Sequence, residues 1–199
     1  MKTYAANTPP HLITLIILTS TSVLAMNMFL PSLTNMAAEF SVSYSVMNIS
    51  VAGYLAITAI LQVILGPLSD RFGRRPVLLG SILIFSLASL FCALSSNIWI
   101  FLSLRILQGA IISGMTLSRA IVRDIMDPKD AVRVLGTIAM AMAVAPMLGP
   151  VLGGVFDEVF GWRAIFWFYL GLGLVLFILT WADLGETNKN TSATFRKQF

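Results

Sequence analysis

The chain contains 199 residues, of which 57% are hydrophobic and only 11% are charged, and its mean hydropathy is +0.87. This composition excludes an ordinary soluble domain and predicts an all-α polytopic membrane protein. The single cysteine and single histidine exclude an intrachain disulfide and leave too few soft ligands for a zinc site, so no bound cofactor is predicted. The net charge of +4 does not indicate nucleic-acid binding, because most basic residues fall in short segments between apolar runs.

Six apolar runs are long enough to cross a hydrocarbon core, which takes ~20 residues of helix. The predicted helices cover residues 12–33, 46–68, 77–94, 98–122, 132–156 and 163–183. Residues 34–45 are predicted as a polar loop, and Ser95-Ser96-Asn97 is predicted to break the uncharged stretch 76–104, which is too long for one helix. Residues 1–184 are therefore predicted to form a six-helix transmembrane bundle, and residues 185–199 are predicted to form a polar, basic tail.

The basic residues are distributed unequally between the two sides of this arrangement. Of the 13 Lys and Arg residues, the side that holds both ends of the chain has Lys2, Arg71, Arg74, Arg75, Arg119, Arg123, Lys129, Arg133, Lys189, Arg196 and Lys197. Arg163 alone lies on the opposite side, and Arg105 lies within a helix. The positive-inside rule then places both termini in the cytoplasm and predicts a multi-pass protein of the cell's inner membrane.

Two glycines, one acid and three arginines are concentrated between the second and third predicted helices. Residues 66–76 read Gly-Pro-Leu-Ser-Asp-Arg-Phe-Gly-Arg-Arg-Pro, which predicts a tight cytoplasmic hinge. The segment resembles the signature Gly-x-Leu-x-Asp-Arg-x-Gly-Arg-Arg/Lys of the major facilitator superfamily. The matching residues are Gly66, Leu68, Asp70, Arg71, Gly73, Arg74 and Arg75. The resemblance implies the N-terminal six-helix half of a transporter, built as a three-plus-three inverted repeat and followed by a cytoplasmic linker.

The same resemblance implies that the hinge is part of a cytoplasmic gate that locks two halves together in the outward-facing state. Gly66 leaves room for another helix to approach, and Gly73 allows the positive φ that a tight turn needs. Asp70 is predicted to pair with Arg74, and Asp124 is predicted to be the second partner of Arg74. The alternative is that these charged residues only anchor a loop and set the topology.

The fourth predicted helix carries Arg105-Ile106-Leu107-Gln108-Gly109, which resembles the family motif Arg-x-x-Gln-Gly implicated in proton coupling. An arginine roughly 10 Å deep in the membrane costs ~2.5 kcal/mol or more unless it faces water or a partner. We therefore expect Arg105 to face a cavity, with Gln108 one turn away on the same face. The alternative is that Arg105 extends outward to the lipid headgroups.

The first predicted helix carries Asn27-Met28-Phe29-Leu30-Pro31, which resembles the Asp-Met-x-x-Pro stretch of the Bcr/CflA-type drug:proton antiporters. Asn27 replaces the acid of that motif and is expected to lie beside Arg105 in the cavity. No Asp or Glu is then left inside any predicted helix except Asp183 at the rim. Proton carriage by this half is therefore in question.

The fifth predicted helix contains Gly149-Pro150 followed by Gly153-Gly154, which matches the Gly-Pro-x-x-Gly-Gly core of the motif that marks antiporters in this superfamily. Pro146 and Pro150 remove backbone donors and favour a bend, and Gly149 and Gly153 form a small face for close packing. The alternative is that these glycines serve packing alone.

Together these resemblances imply a secondary active transporter that exports drugs or small metabolites by proton antiport and confers antibiotic resistance. The expected partners are a small amphipathic substrate, the lipid bilayer, and a missing C-terminal six-helix half or a second copy of the chain. The alternatives are a half-size facilitator that acts as a homodimer and a truncated, non-transporting fragment. An intramembrane enzyme is disfavoured, because the predicted helices carry no nucleophile with a base, no metal-ligand set and no pair of aspartates.

Overall fold

The computed structural model describes residues 10–187 of the chain. Within this range, six helices are long and apolar enough to span a membrane, as the sequence predicts. They are α1 Leu12–Glu39, α2 Tyr44–Phe72, α3 Arg74–Leu94, α4 Ile98–Ile125, α5 Pro128–Phe160 and α6 Arg163–Asp183. The predictions that concern Lys2, Lys189, Arg196, Lys197 and most of the linker lie outside the described residues.

The helices extend further than the apolar runs that predicted them. The polar loop expected at residues 34–45 is helical as far as Glu39, and the charged segment between α4 and α5 shortens to Met126 and Asp127. The hinge expected at 66–76 shortens to the single residue Gly73, because α2 continues to Phe72 and α3 begins at Arg74. Backbone hydrogen bonds continue a helix past the point where side chains become polar, so the polar turns at the membrane surface remain helical.

Short-range signals explain where several helices begin. The side chain of Asn97 accepts hydrogen bonds from the backbone N–H groups of Trp99 (2.8 Å) and Ile100 (3.3 Å), so the predicted break before α4 is capped by an asparagine. Pro128 occupies the first turn of α5, where its missing N–H is not needed. Gly73 turns the chain between α2 and α3 with φ +100°, a conformation that favours glycine.

Two spans contain an interruption that the apolar pattern did not predict. In α1 the α-helix ends at Asn27 and resumes at Leu33 after a 3₁₀ turn, Leu30–Ser32, where Pro31 has no N–H to donate. In α4 a 3₁₀ turn at Gly109–Ile111 follows Gln108 directly. Both interruptions lie in helices that carry predicted site residues.

Small residues allow the helices to pack closely. Helix α3 packs extensively against both α4 and α6, and α1 packs along α5. A Cβ added at Gly173 of α6 would lie 2.3 Å from the Ser86 Oγ of α3, so the two helices approach each other closely at this glycine. By contrast, the most apolar windows of α2 and α5 are only 22% buried, against 50% in α1, α3 and α4. The apolar faces of α2 and α5 are therefore available to lipid or to a second bundle.

The bundle has two distinct ends. We call the end with the Gly73 turn, the Met126–Asp127 loop and both ends of the described chain the Gly73 end, and the opposite one the Arg163 end. At the Arg163 end, Arg163 pairs with Glu39 of α1 and donates hydrogen bonds to the carbonyls of Ala93 and Ser95, each at 3.1 Å. One arginine thus joins the ends of α1, α3 and α6.

Candidate functional site

Arg74 lies between two carboxylates at the Gly73 end. Its Nη2 is 2.7 Å from the Oδ1 of Asp70 on α2, and its Nε is 3.0 Å from the Oδ2 of Asp124 on α4. Its Nη1 also donates a hydrogen bond to the Ser69 Oγ at 2.5 Å. The Arg74 side chain is only 11% exposed, whereas that of Asp70 is 62% exposed. A single largely buried guanidinium of α3 therefore joins the ends of α2 and α4, and three predicted site residues meet at this point.

An acidic residue that the sequence did not predict completes this turn. The Glu186 carboxylate accepts hydrogen bonds from the backbone N–H groups of Arg74 (2.9 Å) and Arg75 (3.3 Å), which are the first residues of α3. A carboxylate at this position satisfies unpaired donors and is favoured by the helix dipole. A Cβ at Gly73 would lie 2.4 Å from the Glu186 Oε2, so Gly73 also provides space for this carboxylate.

Asp183 accepts hydrogen bonds at the start of α1, as Glu186 does at the start of α3. Its Oδ2 accepts hydrogen bonds from the backbone N–H of His11 at 2.9 Å and from the Thr14 Oγ1 at 2.6 Å. Two acids within four residues of the end of α6 thus hold the N-terminal ends of two other helices. The sequence shows that both acids lie at or just beyond the end of the last apolar run, which is a place where a carboxylate can cap another helix. Their partners lie more than 100 residues away in sequence and could not be inferred.

Arg75, Arg71 and Gly66 of the predicted hinge do not take part in the contacts between Arg74 and the two aspartates. Arg75 donates a hydrogen bond to the Trp181 carbonyl of α6 at 2.8 Å. Arg71 is exposed, with its guanidinium 5.4 Å from the centroid of the Phe72 ring, and it forms no ion pair with any residue of the described chain. A Cβ at Gly66 would meet nothing within 4 Å, so no helix of residues 10–187 uses the space that this glycine leaves.

Arg105 is buried inside the bundle, which corrects the expectation that it faces a cavity. Its exposed fraction is 0%, so the alternative of an outward path to the headgroups is also wrong. Its Nη1 donates to the Oε1 of Gln108, the predicted neighbour, and its Nη2 lies 3.5 Å from the Ala25 carbonyl of α1. The Gln108 amide donates in turn to the Ser89 Oγ of α3 at 2.6 Å. Arg105 is buried because α1, α2 and α6 converge on this part of α4. A local sequence pattern does not indicate which helices converge.

Asn27 is not a partner of Arg105 in the described structure. Its amide donates a hydrogen bond to the Val23 carbonyl of its own helix at 2.8 Å, and its Cβ lies 3.2 Å from the position of a Cβ added at Gly149. Asn27 therefore belongs to the contact between α1 and α5, and no hydrogen bond joins it to Arg105 among the described residues.

The glycines of α5 differ sharply in their surroundings. A Cβ at Gly153 would lie 1.7 Å from the Met28 carbonyl oxygen of α1, whereas a Cβ at Gly154 would meet nothing within 4 Å. Gly149 and Gly153 thus form the predicted small face, and Gly154 does not contribute to it. Pro146 and Pro150 both lie inside α5, which remains one helix from Pro128 to Phe160.

Arg119 is a further basic residue of α4, and the sequence predicts that it lies on the side of the membrane that holds the Gly73 turn. It lies six residues before the end of α4 at Ile125, so it is roughly 9 Å from that end. Arg119 is exposed, and its Nη2 is 3.6 Å from the Met142 sulfur of α5.

Comparisons with known proteins agree with this architecture. The sequence profile of the Major Facilitator Superfamily matches residues 15–198. The chain is 40% identical over 167 residues to YdgK of Bacillus subtilis (strain 168), an uncharacterized MFS-type transporter, covering 82% of this chain and 42% of YdgK. It is also 40% identical over 154 residues to a chloramphenicol resistance protein of Pseudomonas aeruginosa, covering 76% of this chain and 36% of that protein. The fold resembles the human organic anion transporter MFSD10 (TETRAN), with a TM-score of 0.70 and 21% identity over 88% of this chain and 47% of MFSD10.

A six-helix membrane bundle with charged residues joining α2, α3 and α4 is the architecture of a transporter half rather than of a soluble module. The chain belongs to the Major Facilitator Superfamily. It spans less than half the length of the relatives named above.

Proposed function

We propose that the chain is the N-terminal half of an efflux transporter that exports small amphipathic compounds by exchange with protons. The observation that carries this proposal is the placement of Arg74 between Asp70 and Asp124, because these contacts can hold three helix ends together in one state and release them in another. The substrate class is supported by the relative that is named for chloramphenicol resistance. Alternating access would move this bundle against a second six-helix bundle.

The coupling proton has no obvious carrier inside this half. Every Asp and Glu of residues 10–187 lies in the last few turns at one end of the bundle or in a connecting segment. The cation at Arg105 is therefore not neutralised by an acid of this half. We propose that the titrating acid belongs to the second bundle, or that coupling acts through the contacts at the Gly73 end.

Transport in inside-out membrane vesicles tests this function. The chain is expressed with a C-terminal six-helix half on a separate polypeptide, and chloramphenicol is added to energised vesicles that contain a fluorescent reporter of the pH gradient. We expect chloramphenicol to release protons in these vesicles and the chain alone to give no response. A response from the chain alone would favour the homodimer instead. Correctly inserted protein that gives no response in either arrangement would contradict drug:proton antiport, and a panel of other amphipathic compounds would then test efflux itself.

We also propose that the Gly73 end is cytoplasmic. Six of the described basic residues lie close to the helix ends at that end: Arg71, Arg74, Arg75, Arg123, Lys129 and Arg133. Arg163 lies at the other end, so the positive-inside rule gives this orientation.

Cysteine labelling checks the orientation in intact cells. Ser43→Cys at the Arg163 end should react with an impermeant maleimide from outside, whereas Asp130→Cys should react only after permeabilisation. Both positions are exposed, and the buried native Cys92 is replaced by serine as the background. Labelling of both variants in intact cells would contradict the six-helix topology.

A further inference from the structure

The guanidinium of Arg105 is enclosed by aromatic rings from three other helices. Its Cζ lies 3.9 Å from the ring centroid of Phe29 on α1, 4.7 Å from that of Tyr54 on α2 and 5.9 Å from that of Phe166 on α6. All three distances fall within the ~6 Å range in which a cation is attracted to the face of a ring. All three rings are almost completely buried, so little water screens this attraction.

The polar partners of Arg105 do not balance its charge. Among residues 10–187, Arg105 forms no ion pair, and it donates one hydrogen bond to Gln108 and a long one, at 3.5 Å, to the Ala25 carbonyl. Its Nε has no hydrogen-bond partner in this part of the chain. A buried charge normally requires a paired group, since removal from water is unfavourable. The negative faces of the rings therefore help to compensate the cation where no carboxylate of the described chain does so.

We propose that Phe29 and Tyr54 are positioning residues that hold Arg105 charged and fixed in place of a counter-carboxylate, so that the transport step depends on the electrostatics of their rings. This inference rests on the proposed function. Phe29 lies two residues after the α-helical part of α1 ends at Asn27, and it directly precedes the 3₁₀ turn at Leu30–Ser32. The ring can thus link a change in α1 to the cation of α4 without any titrating acid between them.

The geometry distinguishes the ring of Tyr54 from its hydroxyl. The Tyr54 hydroxyl is buried and has no hydrogen-bond partner among the described residues. The ring should therefore be the part that acts on Arg105. Tyr54→Phe, which keeps the ring, is the matched control for Tyr54→Leu, which removes it.

Graded fluorination separates an electrostatic role of the ring from a space-filling role. Phenylalanine analogues with one, two and three ring fluorines are incorporated at position 29, and the chain is expressed together with its second six-helix bundle. Fluorine weakens the negative face of the ring while nearly preserving its shape. We expect transport to fall stepwise, by about tenfold for the trifluorinated ring. Tyr54→Leu should lose transport to a similar extent, and Tyr54→Phe should retain it.

A second measurement keeps the inference testable if no transport is found in the parent protein. The thermal midpoint of the purified 199-residue chain in detergent should fall stepwise along the same fluorine series. The trend should disappear when Arg105→Met is introduced, because the cation is then absent. A midpoint that does not change along the series, or a trend that persists without Arg105, would overturn the inference. Parent transport that does not respond to fluorine while Phe29→Leu is impaired would show that the ring only fills space.

Discussion

Replacing Gly153 by alanine should strongly destabilise the bundle, whereas the same replacement at the adjacent Gly154 should not. The added methyl at Gly153 would lie 1.7 Å from the Met28 carbonyl oxygen, far inside van der Waals contact. The obstacle is backbone rather than the end of a flexible side chain, so either α1 or α5 must shift. Overpacking in a well-packed core costs ~1–3 kcal/mol, and this contact should reach or exceed the upper end of that range.

Gly154→Ala provides a control at the same depth in the same helix. A Cβ there would meet nothing within 4 Å, and alanine is a better helix former than glycine by ~1 kcal/mol. The thermal midpoints of both variants in detergent are compared with the parent protein. Gly154→Ala should be neutral or slightly stabilising, and equal midpoints for the two variants would contradict the close approach of α1 and α5.

Arg74→Gln should reduce transport by at least about tenfold while leaving insertion and expression unchanged, if the contacts at the Gly73 end act as proposed. The substitution removes two ion pairs at once, to Asp70 and to Asp124, and both connect different helices. A coupling of 1–3 kcal/mol between conformational states corresponds to about 5–150-fold. The backbone N–H of Arg74 still reaches Glu186, so the turn at Gly73 should survive.

Arg71→Gln is the matched control for this prediction, because Arg71 belongs to the same basic segment but forms no ion pair among residues 10–187 and lies over the Phe72 ring. Asp70→Asn and Asp124→Asn each remove one of the two pairs and should have smaller effects than Arg74→Gln. Adding Asp70→Asn or Asp124→Asn to Arg74→Gln should cause no further loss of transport, because both acids act through the Arg74 guanidinium. Equal losses for Arg71→Gln and Arg74→Gln would point to loop anchoring instead.

The number of helices and the character of the Gly73 turn could be predicted from the sequence because both depend on local chemistry. An uncharged run of about 20 residues is a strong signal for a span, and a glycine between two helices is a strong signal for a positive φ. The break before α4 was equally local, since Asn97 caps the helix with its own side chain. The contact face of Gly149 and Gly153 followed from a spacing of one helical turn.

The interior of the site could not be predicted because it depends on which helices converge. Arg105 was expected in a cavity, since a lone arginine in an apolar run gives no indication of rings contributed by other helices. Glu186 holds the start of α3 from 111 or more residues away. Arg119 was counted with the surface residues although it lies inside the predicted helix 98–122, because it is only three residues from the predicted end, whereas the helix extends to Ile125.

Reciprocal accessibility at the two ends of the bundle is the most direct measurement of alternating access in this protein. Gly66→Cys at the Gly73 end and Thr34→Cys at the Arg163 end are labelled with impermeant maleimides in the two-bundle transporter, on the Cys92→Ser background. Adding Arg74→Gln should raise the labelling rate of Gly66→Cys from the cytoplasmic side and lower that of Thr34→Cys from outside. Rates that remain unchanged, or that shift in the same direction at both positions, would contradict a bundle that rocks between two states under the control of Arg74.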